Sequence, residues 1–138
     1  MAADSALLQG NTVTIGQTKI VKRPSDGAII ASTGSAAYGA AFRDWALAGE
    51  DRERQPKRPN EDSRAFIFLD GIVHTFETDN GPAFEHRPSY FAVGSGMDFA
   101  IGAMWMGASA EEALKAAIEH DAYTRGPILV LREGLADA

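Results

Sequence analysis

The sequence predicts an α+β fold in which antiparallel hairpins and helices occupy separate blocks of the chain. Two Asp-Gly pairs, at positions 26–27 and 70–71, each stand between apolar runs, and such pairs are typical of tight hairpin turns. An Ala-rich segment with regularly spaced aromatic residues follows the first hairpin, and a capping sequence opens a helix near the end. This order favours antiparallel sheets faced by helices over a doubly wound parallel sheet.

The first half of the chain is predicted to form a hairpin, a helix and a loop. The elements are strands at 18–23 and 28–33, a helix at 35–48 and a loop at 50–62. Tyr38, Phe42 and Trp45 recur at i, i+4 and i+7, which places them on one face of the helix. The loop carries charges of both signs and two prolines without apolar periodicity, so no further helix is expected before the next strand.

The second half is predicted to form another hairpin, two helices and a last strand. The elements are strands at 65–69 and 72–77, a helix at 97–106, a helix from residue 109 onwards and a buried strand at 128–131. Ser109 and Glu112 have the spacing of a capping box, in which each side chain satisfies a free backbone N–H. Four side chains of the first of these helices are expected to make core or subunit contacts: Met97, Met104, Trp105 and Met106.

Composition limits the function classes. The 138 residues fit a single domain, 1–138, that can bury a core. The net charge of -6 argues against a nucleic-acid binder, which would normally show a basic patch. The absence of cysteine excludes a thiolate metal site and suits a cytoplasmic protein. No run approaches the ~20 apolar residues of a membrane span, and no signal peptide is evident, so a soluble protein without a membrane partner is predicted.

Several common site patterns are incomplete. The segment around Gly94 and Gly96 begins like a dinucleotide-binding loop, but Phe99 replaces its third glycine and no acidic residue follows a second parallel strand. No Gly-Lys-Ser/Thr sequence is present for a phosphate loop, and Val93 stands where an esterase elbow needs glycine. The three histidines are scattered, so neither a metal nor a cofactor is expected.

Five short blocks, far apart in the chain, stand out as a set. They are Ala2-Ala3-Asp4-Ser5, Thr18-Lys19-Ile20, Thr33-Gly34-Ser35-Ala36-Ala37, Val93-Gly94-Ser95-Gly96 and Asp121-Ala122-Tyr123-Thr124-Arg125-Gly126. In this order they resemble segments of proteasome β subunits and of the HslV peptidase, members of the N-terminal-nucleophile (Ntn) hydrolases. The short length and abbreviated middle are most similar to small phage- or prophage-encoded members.

The resemblance implies a four-layer αββα sandwich of two antiparallel sheets flanked by helices. It also implies hydrolysis of peptide bonds by an N-terminal threonine, whose own α-amino group, with a pKa near ~8, handles the proton. The partners implied are a peptide or protein substrate, further copies of the chain in a homo-oligomer, and an ATP-dependent unfoldase. No cofactor is implied.

The resemblance also assigns roles to individual residues. Lys19 matches the active-site lysine, whose charge favours the free amine, and Asp4 matches the aspartate that orients it. Gly34 matches the glycine whose backbone N–H faces the developing oxyanion. A supporting set positions the terminal amine and its water: Ser95, Asp121 and Thr124. The primary substrate pocket corresponds to Val21, Ser32, Ala36 and Ala40, which are mostly small and suit a hydrophobic side chain.

The chain departs from the family pattern in three places. Arg125 stands where the family has glycine, the middle of the chain has one helix instead of two, and the first strand with its threonine is missing ahead of Met1. Removal of Met1 would expose Ala2, which has no nucleophilic oxygen, so the printed chain is expected to be inert and the natural product to begin upstream. The alternative is a non-catalytic structural or assembly subunit that retains the fold.

Overall fold

The computed structural model of the chain describes residues 1–9, 12–16, 18–79 and 81–135. The strands are β1 (Ala2–Ala3), β2 (Ala6–Gln9), β3 (Thr12–Ile15), β4 (Ile20–Lys22), β5 (Ile29–Thr33), β6 (Arg64–Leu69), β7 (Ile72–Phe76), β8 (Phe84–His86) and β9 (Leu129–Val130). The helices are α1 (Ala36–Leu47), α2 (Met97–Trp105) and α3 (Ala110–His120), with one 3-10 turn at Arg52–Arg54. Every strand pairing among these elements is antiparallel, so the predicted α+β class is confirmed.

The chain divides into two compact units. The first unit consists of Met1–Lys19 and Ser89–Leu131, and the second unit consists of Ile20–Pro88 together with the residues after Leu131. The expectation of a single domain over 1–138 stays a prediction.

The second unit is built on a five-stranded sheet in the order β4-β5-β6-β7-β8. Both predicted Asp-Gly hairpins lie in it: Lys22 pairs with Ile29 across the first, and Leu69 pairs with Ile72 across the second. Asp70 and Gly71 both have positive φ, at 53° and 74°, as a two-residue hairpin turn of the favoured twist requires. Because neighbouring strands follow one another along the chain, this sheet contains no crossover connection.

Helix α1 supplies one side of the core of the second unit. It begins at Ser35, whose hydroxyl accepts a hydrogen bond from the N–H of Tyr38 at 3.2 Å. The predicted face is buried, and Phe42 is 0% exposed with its ring 4.9 Å from that of Phe76 on β7 in an edge-on contact. Trp45 packs edge-on against the same ring at 5.8 Å. Full burial of one such side chain contributes about 1.5–3 kcal/mol, so this cluster anchors α1 to the sheet.

The first unit contains two short antiparallel pairs, β1-β9 and β2-β3, and the helices α2 and α3. The predicted capping box at the start of α3 is confirmed: the Ser109 hydroxyl accepts from the N–H of Glu112 at 3.2 Å, and the Glu112 carboxylate accepts from the N–H of Ser109 at 3.1 Å. The buried face of α3 carries Ala113 and Ala117.

One sequence-based expectation about burial is wrong. Strand β9 is exposed rather than buried, because among the described strands it pairs only with the two-residue β1. Trp105 and Met106 are 74% and 83% exposed, so of the core or subunit contacts expected for them, only subunit contacts stay a prediction. Helix α2 therefore presents apolar side chains to solvent. Among the described residues no helix is long and apolar enough to cross a membrane.

Candidate active site

The carboxylate of Asp4 and the ammonium of Lys19 form a close ion pair in the first unit. Lys19 Nζ lies 2.5 Å from Asp4 Oδ1, and Asp4 is only 8% exposed. The second carboxylate oxygen, Oδ2, accepts backbone N–H groups from Arg125 at 3.0 Å and from Ala6 at 3.3 Å. Three donors therefore fix the carboxylate, and hydrogen bonds to an ionised acceptor are the strong kind. The pairing assigned to these residues by resemblance is present.

The segment after β1 is held against residues 125–127 by further hydrogen bonds. Ser5 donates its N–H to the carbonyl of Arg125 at 2.9 Å and its hydroxyl to the carbonyl of Pro127 at 2.6 Å. Ser5 is buried, so both bonds are shielded from water. Sequence reasoning did not single out this role, and no local pattern signals it, because the partners lie over a hundred residues away.

Asp121, Ser95 and Thr124 form a second cluster in the first unit. Asp121 Oδ2 accepts the Ser95 hydroxyl at 2.7 Å and the Thr124 hydroxyl at 2.5 Å. Burial raises the pKa of Asp121, but the hydrogen bonds from Thr124 and Ser95 outweigh it and hold that pKa below its usual value. Asp121 also caps the carboxyl end of α3, where a helix dipole disfavours an anion. The two hydroxyls thus stabilise the ionised carboxylate against the unfavourable end of the helix dipole.

Gly96 allows this second cluster to close. A Cβ atom at Gly96 would lie 2.8 Å from Thr124 Oγ1 and 2.9 Å from the Cβ of Ala117, which is closer than side chains tolerate. The glycine-rich corner around Ser95 is therefore explained by its approach to the turn after α3. No nucleotide-binding role is needed to account for it.

Arg125, which departs from the family pattern, is accommodated through its own hydrogen bonds. Its guanidinium Nη1 donates to the carbonyl of Thr124 at 3.0 Å and to that of Asp121 at 3.3 Å. Its backbone N–H donates to Asp4, as described above. One residue therefore links the Asp4–Lys19 pair to the turn that carries Asp121 and Thr124.

The remaining predicted site residues lie in the second unit. Gly34 follows β5, is exposed and has φ of +86°, a value that favours glycine. The four predicted pocket residues lie on β4, β5 and α1: Val21, Ser32, Ala36 and Ala40. Val21 packs against the core, and the Ser32 hydroxyl lies so close to α1 that a Cβ at Gly39 would collide with it. Their pocket role stays a prediction. In the described part of the chain, no three His, Cys, Asp or Glu side chains are grouped to hold a metal ion.

These antiparallel sheets and helices define a mixed α+β fold of the HslV and proteasome type, the fold of Ntn hydrolases. The chain is similar to BPH of Thiobacillus denitrificans, solved in complex with epoxomicin, with a TM-score of 0.70 and 19% identity over 98% of this chain and 92% of that one. It is also similar to the eukaryotic HslV of Trypanosoma brucei, with a TM-score of 0.63 and 17% identity over 92% of this chain and 88% of that one. No protein-family model and no curated protein matches the sequence. At such identities the likeness establishes the fold alone.

Proposed function

We propose that this protein is a proteasome-like N-terminal threonine peptidase or amidase, which acts when a threonine stands at its amino terminus. The observation that carries the proposal is the fixed ion pair: Lys19 lies 2.5 Å from a buried Asp4 carboxylate whose other oxygen accepts two backbone N–H groups. A surface ion pair would not need such support. A lysine that must stay in one position beside a reacting amine does need a partner that is held in place.

The chemistry follows from these groups. The threonine hydroxyl attacks the carbonyl carbon of a peptide bond while its proton passes to the threonine α-amine. The Lys19 charge lowers the pKa of that amine, which is therefore unprotonated and able to accept the proton. The family resemblance assigns stabilisation of the oxyanion to the Gly34 N–H, and the amine returns the proton to the departing nitrogen. Water then hydrolyses the ester, which restores the hydroxyl and releases the acid.

The second cluster supports the terminal amine. Burial raises the pKa of Asp121, but the hydrogen bonds that Thr124 and Ser95 donate to it lower that pKa further and favour the ionised form. With their protons committed to Asp121, both hydroxyl oxygens are left as acceptors for an ammonium or a bound water. The mechanism forms an ammonium at the nucleophile and consumes a water molecule in hydrolysing the ester, so both species must be held there.

The substrate class and the cellular setting are proposed from the predicted pocket residues, the exposed residues of α2 and the family resemblance. Val21, Ser32, Ala36 and Ala40 are mostly small and would suit a hydrophobic side chain of a peptide or unfolded protein. The exposed apolar residues of α2 support a homo-oligomer. An ATP-dependent unfoldase partner, a cytoplasmic location and a phage or prophage origin complete the proposal by the family resemblance.

The second candidate is a non-catalytic assembly subunit. The observation that favours it is the exposed surface of α2, where Trp105 and Met106 are largely uncovered. Exposed apolar side chains of this kind serve contacts between chains as well in an inactive subunit as in an enzyme.

The test compares the printed chain with an extended form that exposes an N-terminal threonine. Hydrolysis of short fluorogenic peptides is measured, together with covalent labelling by epoxomicin, the compound held by the Thiobacillus denitrificans neighbour. We expect turnover and labelling in the extended form only. Lys19→Ala is expected to lower turnover at least about 100-fold, the scale of proton-transfer catalysis, whereas Lys22→Ala is the matched control and stays near the parent value.

Two outcomes would contradict the proposed peptidase activity. An upstream reading frame that encodes no threonine behind a removable leader would leave the proposed nucleophile without a source. An extended form that exposes threonine, folds normally and still neither cleaves peptides nor reacts with epoxomicin would favour the assembly subunit.

A further inference from the structure

Ser63 is a buried polar residue that the proposed reaction does not yet use. It precedes β6, is 0% exposed and accepts the N–H of Ser35 on its hydroxyl oxygen at 3.0 Å. The same hydroxyl donates to Asn60 Oδ1 at 2.9 Å, and that oxygen also accepts the Ser63 N–H at 2.9 Å. The Ser63 hydroxyl therefore both donates and accepts, as a fully buried hydroxyl must to avoid a desolvation cost.

The turn that Ser63 contacts is the one that carries the predicted oxyanion donor. Gly34 packs so closely on Ser63 that an added Cβ would lie 2.6 Å from Ser63 Cα and 2.8 Å from the carbonyl oxygen of Asp62. Ser35 is held at the same time by α1, because its hydroxyl accepts the N–H of Tyr38. The Gly34–Ser35 turn is therefore restrained by contacts with residues 60–63 and by a hydrogen bond from the first turn of α1.

We propose that Ser63, itself held by Asn60, is a positioning residue that fixes the Gly34–Ser35 backbone so that the Gly34 N–H faces the oxyanion. The inference rests on the proposed function. The sequence indicates residues 60–63 only as the end of a charged loop, and the proposal gives them a role in positioning the oxyanion donor. Ser63 touches neither substrate nor nucleophile in this role and acts through the backbone of the turn.

The physical reason lies in preorganisation. An oxyanion donor is effective because its dipole already points at the developing charge and does not have to reorient during the reaction. A glycine with positive φ is permissive and would explore other conformations when unrestrained. The bond from Ser35 N–H to Ser63 removes that freedom one peptide unit away from the donor. Loss of this bond should therefore change the reaction rate more than substrate binding.

The kinetic test uses the extended form with its N-terminal threonine. Ser63→Ala is expected to lower kcat about 10- to 100-fold with KM within about twofold, because a misplaced donor loses part of the 10²–10³ that complete removal costs. Asn60→Ala should follow in the same direction. Asn60→Asp retains an acceptor oxygen at the same place and should restore kcat to within about threefold of the parent. Thr75→Val removes another buried hydroxyl from the same sheet and should leave kcat unchanged.

The second readout works on the printed chain and needs no activity. Amide hydrogen exchange, followed by NMR, is expected to speed up at least about tenfold at the Ser35 N–H in Ser63→Ala, since the bond that protects it is gone. Thr75→Val should not change exchange at this position. An unchanged exchange rate at the Ser35 N–H, or an unchanged kcat, in Ser63→Ala contradicts the positioning role of Ser63. Neither result contradicts the proposed peptidase activity. Absence of turnover in the parent extended form contradicts the proposed function itself, and with it the catalytic purpose of the turn.

Discussion

Replacing Gly34 by alanine measures how strongly the turn after β5 is constrained. Two costs are expected. The first is conformational, since φ of +86° is left-handed and costs an alanine about 1–2 kcal/mol. The second is steric, since the new methyl group would lie 2.6 Å from Ser63 Cα, a backbone atom that no rotamer change can move. Overpacking of this kind costs about 1–3 kcal/mol, so a total of about 2–5 kcal/mol is expected.

Gly71→Ala is the matched control for this prediction. Gly71 belongs to the same unit and has φ of +74°, but a Cβ there would meet no atom within 4 Å. It therefore carries the conformational cost alone, about 1–2 kcal/mol. Unfolding by guanidinium is followed through Trp45, whose ring lies in the core of the second unit, with the requirement that the slope on denaturant stays constant. If Gly34→Ala costs no more than Gly71→Ala, the steric argument is wrong.

Three further predictions address the first unit. Ser109→Ala removes half of the capping box and should lower the free energy of unfolding by about 1 kcal/mol in denaturant titrations. The pKa of Asp121 is lowered in the folded state, so its contribution to stability is present above the unfolded value and is lost as pH falls through the folded value; Thr124→Val should raise this pKa in a carboxylate NMR titration. Asp4→Asn leaves Lys19 without its anion and should cost about 1–3 kcal/mol, with a double-mutant cycle against Lys19→Met as the measurement.

Each of these has a result that would contradict it. A Ser109→Thr variant keeps the capping oxygen and should retain most of the stability, so an equal loss in both variants would rule out the cap as the cause. A pKa of Asp121 that is the same with and without the Thr124 hydroxyl would show that another group sets it. A coupling energy near zero between Asp4 and Lys19 would mean that their contact contributes nothing to folding.

The elements that were predicted correctly are those whose causes are local. An Asp-Gly pair at residues 70–71 needs only its own backbone preference to form a turn, and the capping box at Ser109 is complete within four residues. The pairing of β2 with β3 was not predicted, although a Gly-Asn pair between two apolar runs is a recognised signal of a hairpin. The sequence predicted helix α2 but could not predict which of its side chains are exposed, because burial depends on the elements that pack against the helix.

Some contacts of the candidate site were expected from the sequence, and others were not. The contact of Asp4 with Lys19 was expected from the resemblance of two short blocks to a known family, and no physical pattern in the sequence alone would have paired them. The bonds from Ser5 to Pro127 and from Ser35 to Ser63 were not foreseen, since they join residues that lie far apart in the chain and carry no distinctive spacing. Serine is also common in turns, where a hydroxyl most often bonds close to its own position.

The backbone donor from Arg125 to Asp4 joins residues 121 positions apart. Synthesis on the ribosome runs from the amino end, so Asp4 emerges long before Arg125 is added. Until then the acidic group lacks one of its two amide donors, and Ser5 lacks the carbonyls of residues 125 and 127 that receive its own bonds. A polypeptide that terminates between these residues lacks the donor from Arg125, so the carboxylate that pairs with Lys19 is fully held only after synthesis has passed residue 125.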